Sequence, residues 1–326
     1  LGNLFNLSKA TRATILEWAV LILGAVLCAL LLMKATNLPI QDFEQAIVDE
    51  QSDSIITTWL TRAQLLLTDN LLWLRSPNLL AFGGFFYYVY TILDRLFSKE
   101  LLVFTGVFLV STNPYLLDYF TTNNGIAKSC FFLVLSMDAM LRYHAKPVFL
   151  PFAWAVMDIC LALLENVYAF PILIGMLTLL AVLFFTRVFP NLKAKFLGQN
   201  LPFLTIALGL TYWLIQPVLI DYLTPNSTNI RDGFAYDTVY RLVELYYYGQ
   251  DYFNDRAMVN TARALSIIFS IFTFRVMFSF RYKKRYFSTQ RFQSLWLLLA
   301  VAIGVVNGLA YLAGIPFPTV DEVLIY

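Results

Sequence analysis

The chain has 326 residues, 59% of them apolar and only 13% charged, and a mean hydropathy of +0.67. That much apolar surface exceeds what a water-soluble core can hide and excludes a soluble enzyme. Lys and Arg number 23 against 21 Asp and Glu, and a net charge of +2 offers no electrostatic case for nucleic acid as a partner.

In chain order, nine windows are apolar enough to cross a bilayer core: approximately 14–33, 79–97, 101–117, 126–141, 148–164, 167–186, 202–220, 264–280 and 294–314. The expected fold class is therefore all-α, a polytopic integral membrane helix bundle of about nine transmembrane helices forming one domain over 1–326, with amphipathic surface helices in the first outer loop. The first window is too long, and lacks a small-residue cleavage site, so it reads as a retained anchor rather than a signal peptide. Cys28, Cys130 and Cys160 all fall in apolar runs and read as small packing residues. The single histidine, His144, excludes a multi-histidine metal site, and its place between Arg142 and Lys146 reads as a solvated loop.

Charge asymmetry sets the orientation, because Lys and Arg accumulate in cytoplasmic loops. Lys9, Arg12, Arg95, Lys99, Arg142, Lys146, Arg187, Lys193, Lys195, Arg281, Lys283, Lys284, Arg285 and Arg291 share one side. The other side holds Lys34, Arg62, Arg75, Arg231, Arg241, Arg256 and Arg263, spread over two longer loops. The N-terminus is thus expected in the cytoplasm. The loops at about 34–78 and 221–263 are expected outside, with most of the acids.

Long loops on one face carry function more often than connection requires. In the first, Ile40, Phe43, Ile47, Ile55, Trp59, Leu66 and Leu67 recur at helical spacing among acids, as in helices lying on a membrane surface. Asp42, Asp49 and Asp53 would share a face of a continuous helix; a solvated face accounts for Asp49, Glu50 and Asp53. Asp42 and Glu44 follow the first window closely, at the membrane lip, where partial desolvation lifts a carboxylate toward the basicity of a usable base. Asp69 is a weaker candidate before a Ser76-Pro77-Asn78 sequence that reads as a helix break. The second loop pairs six tyrosines between 236 and 252 with Arg231, Arg241, Arg256 and Arg263. Rings favour the headgroup region and guanidinium forks bind phosphate, although an ordinary aromatic belt with snorkelling arginines has the same composition. Asn226-Ser227-Thr228 matches a glycosylation sequon, a pattern common by chance.

Within the windows, Glu17, Asp138, Asp158 and Arg275 stand out because intramembrane charge is costly. Glu17 lies near an end and can snorkel. Asp138 precedes Arg142 by four residues and can pair with it. Asp158 and Arg275 are left as candidates for deeper contacts. Asp118, after Asn113-Pro114-Tyr115, and Glu165-Asn166 read as caps of outer helix ends.

This layout resembles the GT-C superfamily of polytopic glycosyltransferases, and within it the O-antigen-modifying glucosyltransferases. The likeness rests on Asp42-Phe43-Glu44 after the first window, on STNPYLLDYFTTNNGIAKSCFFLVLSMDAMLRY, and on LALLENVYAFPILIGMLTLLAVLFF, over roughly residues 13–220. The resemblance implies sugar transfer from a polyprenyl-phosphate donor on the non-cytoplasmic face. Asp42 or Glu44 would serve as general base on an acceptor hydroxyl or as ligand of a divalent cation. Asp69 and Asp118 would bind substrate, with Arg231, Arg241, Arg256 or Arg263 neutralising the lipid phosphate. The turn from Thr121 to Lys128 lacks the acid or arginine that many family members carry there. Two rivals follow: a non-catalytic membrane subunit docking a protein partner at its outer loops, and a transporter of a lipid-linked sugar, for which Asp158 and Arg275 would line a polar route.

Overall fold

The computed structural model describes residues 9–38, 54–68, 70–97, 99–112, 114–166, 170–187 and 194–223. Over these residues the chain is all-helical. The elements are α1 (Lys9–Asn37), α2 (Ile55–Leu65), α3 (Leu71–Leu96), α4 (Glu100–Ser111), α5 (Pro114–Thr121), α6 (Gly125–Ala145), α7 (Phe149–Glu165), α8 (Phe170–Arg187) and α9 (Ala194–Leu223). Each of the seven apolar windows up to residue 220 holds a helix. The last two windows and the second long loop lie outside the described residues.

Two windows differ from expectation. Ser76-Pro77-Asn78 does not break the chain: α3 begins at Leu71, capped by Asn70 Oδ1 accepting from the Leu72 amide, and runs through Pro77. Proline offers no N–H to the carbonyl four residues back, which is that of Trp73. Two side chains take its place there, Ser76 Oγ at 2.7 Å and Gln64 Nε2 of α2 at 2.7 Å. The third window is divided. α4 has 12 residues, about 18 Å at 1.5 Å per residue, and Pro114, which cannot continue its ladder, opens the separate helix α5.

The long helices pack side by side. α1 and α3 run antiparallel, with Arg75 at the Ala35 end and Phe86 against Gly24. α3 and α6 run parallel, joined near their starts by Asn78 and Lys128 and near their ends by Arg95 and Asp138. α6 and α7 are antiparallel, and small residues bring them close. Ser129 Oγ donates to the Ala162 carbonyl at 2.9 Å and Ser136 Oγ to the Ala155 carbonyl at 3.0 Å. Ala155, Val156, Ile159 and Ala162 are fully buried there. Cys130 and Cys160 pack in this interior, whereas Cys28 is exposed on α1.

The bundle therefore has two distinct ends. One gathers Lys34, α2, Arg75, α5 and the start of α6 with Glu165. The other gathers Arg95, Asp138 and Arg142, where Asp138 accepts from Arg95 at 2.5 Å and from Arg142, one turn on, at 2.7 Å. His144 corrects the sequence expectation: it lies in the last turn of α6 and is buried, not in a solvated loop.

Gly125 is where three elements meet. A Cβ at this position would overlap both Ser54 Oγ and the Glu165 carbonyl oxygen. Gly125→Ala must push α2 away from the α6–α7 junction, at a cost of about 1–3 kcal/mol for overpacking. A lowered Tm of the purified variant in detergent checks this, and an unchanged Tm refutes the close approach.

Candidate functional site

The polar end is built from buried hydrogen-bonding groups on five helices. α2 places Thr57, Thr58, Thr61 and Gln64 on one face and buries all four. Their spacing of one, four and seven residues draws a single stripe along the helix. The rest of the helix exposes Trp59 and Leu60 together with Arg62 and Ala63, and Leu66 and Leu67 just past its end are exposed as well. The expected amphipathic helix is present over 55–65, but its threonines and Gln64 face the bundle and Trp59 faces away.

The stripe meets partners at every step. Ser54 Oγ donates to the Glu165 carbonyl at 2.7 Å, and Thr57 Oγ1 to Glu165 Oε2 at 2.5 Å. Thr61 Oγ1 accepts from Asn123 Nδ2 at 2.8 Å. Behind this layer Lys128, fully enclosed on the first turn of α6, donates to Asn78 Oδ1 at 2.6 Å and to the Asn124 carbonyl at 3.0 Å. Asn78 in turn donates to the carbonyls of Thr122 at 2.6 Å and Asn124 at 2.9 Å. Asn124 caps α6 by accepting from the Ala127 amide at 3.0 Å. Arg75, also fully buried, donates to the Ala35 carbonyl at 2.7 Å and the Leu38 carbonyl at 2.8 Å, and so pins the end of α1.

Glu165 sits just past the fifth apolar window with no solvent exposure. Burial pushes its carboxyl above the usual range, against the opposing pull of the Lys128 charge and the Thr57 hydrogen bonds. Its Oε2 is bonded; its Oε1 has no hydrogen-bond partner among the described residues. Lys128 and Glu165 are thus buried titratable groups inside the network, alongside the Arg75 guanidinium, and all three are shielded from solvent.

Of the sequence-derived site residues, the structure describes Asp118. It lies in α5 rather than at the end of a span and pairs with Lys34 at the end of α1, and both side chains are partly exposed at the rim of the network. Asp42, Glu44, Asp69, Arg231, Arg241, Arg256 and Arg263 lie outside the described residues, and with them the candidate ligands of a divalent cation. Among the described residues no group of three or more His, Cys, Asp or Glu could hold a metal ion. Glu165 ends α7 and Asn166 is its C-cap, as the sequence reads, and Glu165 is in addition a buried acceptor that holds the start of α2. Lys128 is the residue that the pattern of loop charges passes over. The signal for it was a lysine just inside an apolar window, and for α2 the threonine stripe.

No protein-family model matches the chain, and neither does any curated protein or any solved structure.

Lys128 and Glu165 form no ion pair but lie near enough for their charges to act on one another, so removing either leaves the other less well compensated in a buried site. Lys128→Met and Glu165→Leu should each lower Tm markedly. The double variant should be more stable than the sum of the two losses by at least about 1 kcal/mol. Additive losses in a detergent melting series would show that the two charges do not depend on one another.

Proposed function

We propose that the chain is a polytopic integral membrane protein that transfers a sugar from a polyprenyl-phosphate donor at the polar end of its bundle, facing the non-cytoplasmic side. The observation that carries the membrane reading is the inverted α2. A helix between water and a protein core buries its apolar face; this one buries threonines and leaves Trp59 and Leu60 outside. Lipid at the outer surface removes the contradiction, because the hydrogen-bonding groups then have nowhere to go but inward.

α1 supports the same reading. Its segment Thr14–Asn37 contains an 18-residue stretch of mean hydropathy 2.6 and is long and apolar enough to cross a membrane by length and composition. Trp18, Leu21, Ile22, Val26 and Met33 are exposed along it. Leu150 and Trp154 on α7 and Ile206, Leu210 and Trp213 on α9 extend this apolar exterior around the bundle. The excess of Lys and Arg at the Arg142 end orients that end to the cytoplasm.

The enzymatic reading rests on layout. A surface helix lies between the first two long helices, as the GT-C resemblance expects, and Asp118 offers a solvent-reachable carboxylate beside the end of α1. Asp42 follows Leu38, whose carbonyl Arg75 holds, by four residues, a reach of about 14 Å at full extension. In this proposal Asp42 or Glu44 removes the acceptor proton or binds a divalent ion, Asp118 helps to position substrate, and the arginines of the second outer loop meet the leaving lipid phosphate.

Asp42→Asn with Glu44→Gln should abolish sugar transfer from a polyprenyl-phosphate donor in membrane vesicles while leaving the amount of protein in the membrane unchanged. Unaltered transfer by the double variant refutes the assignment. In intact cells, a membrane-impermeant maleimide should label Asp118→Cys, and should label Lys146→Cys only after permeabilisation, both in a background lacking Cys28. The reverse pattern overturns the orientation.

A further inference from the structure

The Arg142 end holds a crevice of about 290 Å³ between α3, α6 and α7, away from the polar network. Three of its walls are aliphatic: Leu135, Leu150 and Pro151. Tyr88 and Trp154 supply ring surface, and Asp158 supplies a carboxylate. The charged groups that share the crevice are not equivalent. Asp138 is neutralised twice, by Arg95 and Arg142. Asp158 is only 6% exposed and, among the described residues, has neither a hydrogen bond nor an ion pair. It stands midway along α7, one turn beyond Trp154 on the same face.

A nearly enclosed carboxylate without a partner is costly, and a crevice leading to it gives a counter-charge a place to bind. The chemistry of the lining selects the kind of cation. A hard divalent ion asks for about six oxygen ligands, and this crevice is mostly hydrocarbon and ring. An ammonium group needs less: one carboxylate for its charge and aromatic faces for the rest, with aliphatic walls for the carbon attached to it. Arg142, half-exposed in the same lining, disfavours a second positive charge on the ligand.

We propose that this crevice is a binding site for a small organic monoammonium ion, held by the Asp158 carboxylate against Trp154 and Tyr88. The site is independent of the glycosyl-transfer reading and sits at the other end of the bundle from the groups that reading uses.

The test is titration calorimetry on the purified full chain in a non-ionic detergent, with n-butylammonium chloride as probe and sodium chloride as control. Saturable binding of n-butylammonium, with no comparable response to sodium, is expected. Asp158→Asn should weaken it about tenfold or more, and Trp154→Leu several-fold. Leu150→Trp, which narrows the crevice and keeps the carboxylate, should also remove binding, so the proposal stays testable if Asp158→Asn folds poorly. Equal binding by wild type and Asp158→Asn, an equal response to sodium, or no binding by the wild type each overturns the proposal.

Discussion

One end of this bundle is organised by the need to find partners for polar groups where no water reaches them. Lys128 is enclosed on all sides, and an ammonium in that position holds only if acceptors surround it. Asn78 Oδ1 and the Asn124 carbonyl do so directly, and the charge of Glu165 does so at longer range. Each partner then constrains an element. Asn78 fixes the turn between α5 and α6 through the carbonyls of Thr122 and Asn124, and Glu165 draws in α2 through Ser54 and Thr57. The position of the first-loop helix thus follows from hydrogen bonds to Glu165 at the end of α7, beside the buried Lys128 of α6.

That constraint explains features which look anomalous singly. α2 exposes tryptophan and leucine because its threonines are needed inside. α3 tolerates Pro77, its seventh residue, because the carbonyl that proline leaves open is taken by Ser76 and by Gln64 of α2. The same hydrogen bond makes a helix defect into a tie between elements. Gly125 belongs to this set, since only the missing Cβ lets Ser54 and the Glu165 carbonyl come against the first turn of α6.

The two ends divide labour in electrostatic terms. At the polar end Lys128, Glu165 and Arg75 are sealed within hydrogen bonds, and the Lys34–Asp118 pair lies at its exposed rim. At the opposite end the ions are less well matched. Two arginines share Asp138, whereas Asp158 lies deeper and has no counter-ion among the described residues. Rigidity at one end and an unmet charge at the other are different chemical opportunities on the same α6–α7 pair.

Helical content and the places of the long helices were legible in the sequence, because apolar windows of that length have few other structures open to them. The pairing of Asp138 with Arg142 was legible too, since residues four apart meet on any helix. Arg95 as its second partner was not, because it comes from 43 residues away. Nor was the face on which α2 packs: periodicity shows that two faces differ, and only the tertiary neighbours decide which is turned inward. The roles of Lys128, Glu165, Asn78 and Arg75 depend on contacts between residues far apart in the chain. By itself the sequence determined, for the seven described windows, that each holds a helix and where charge is scarce; the tertiary structure decided which of the scarce charges are paired, sealed or left open, because burial and ion pairing are properties of assembled helices.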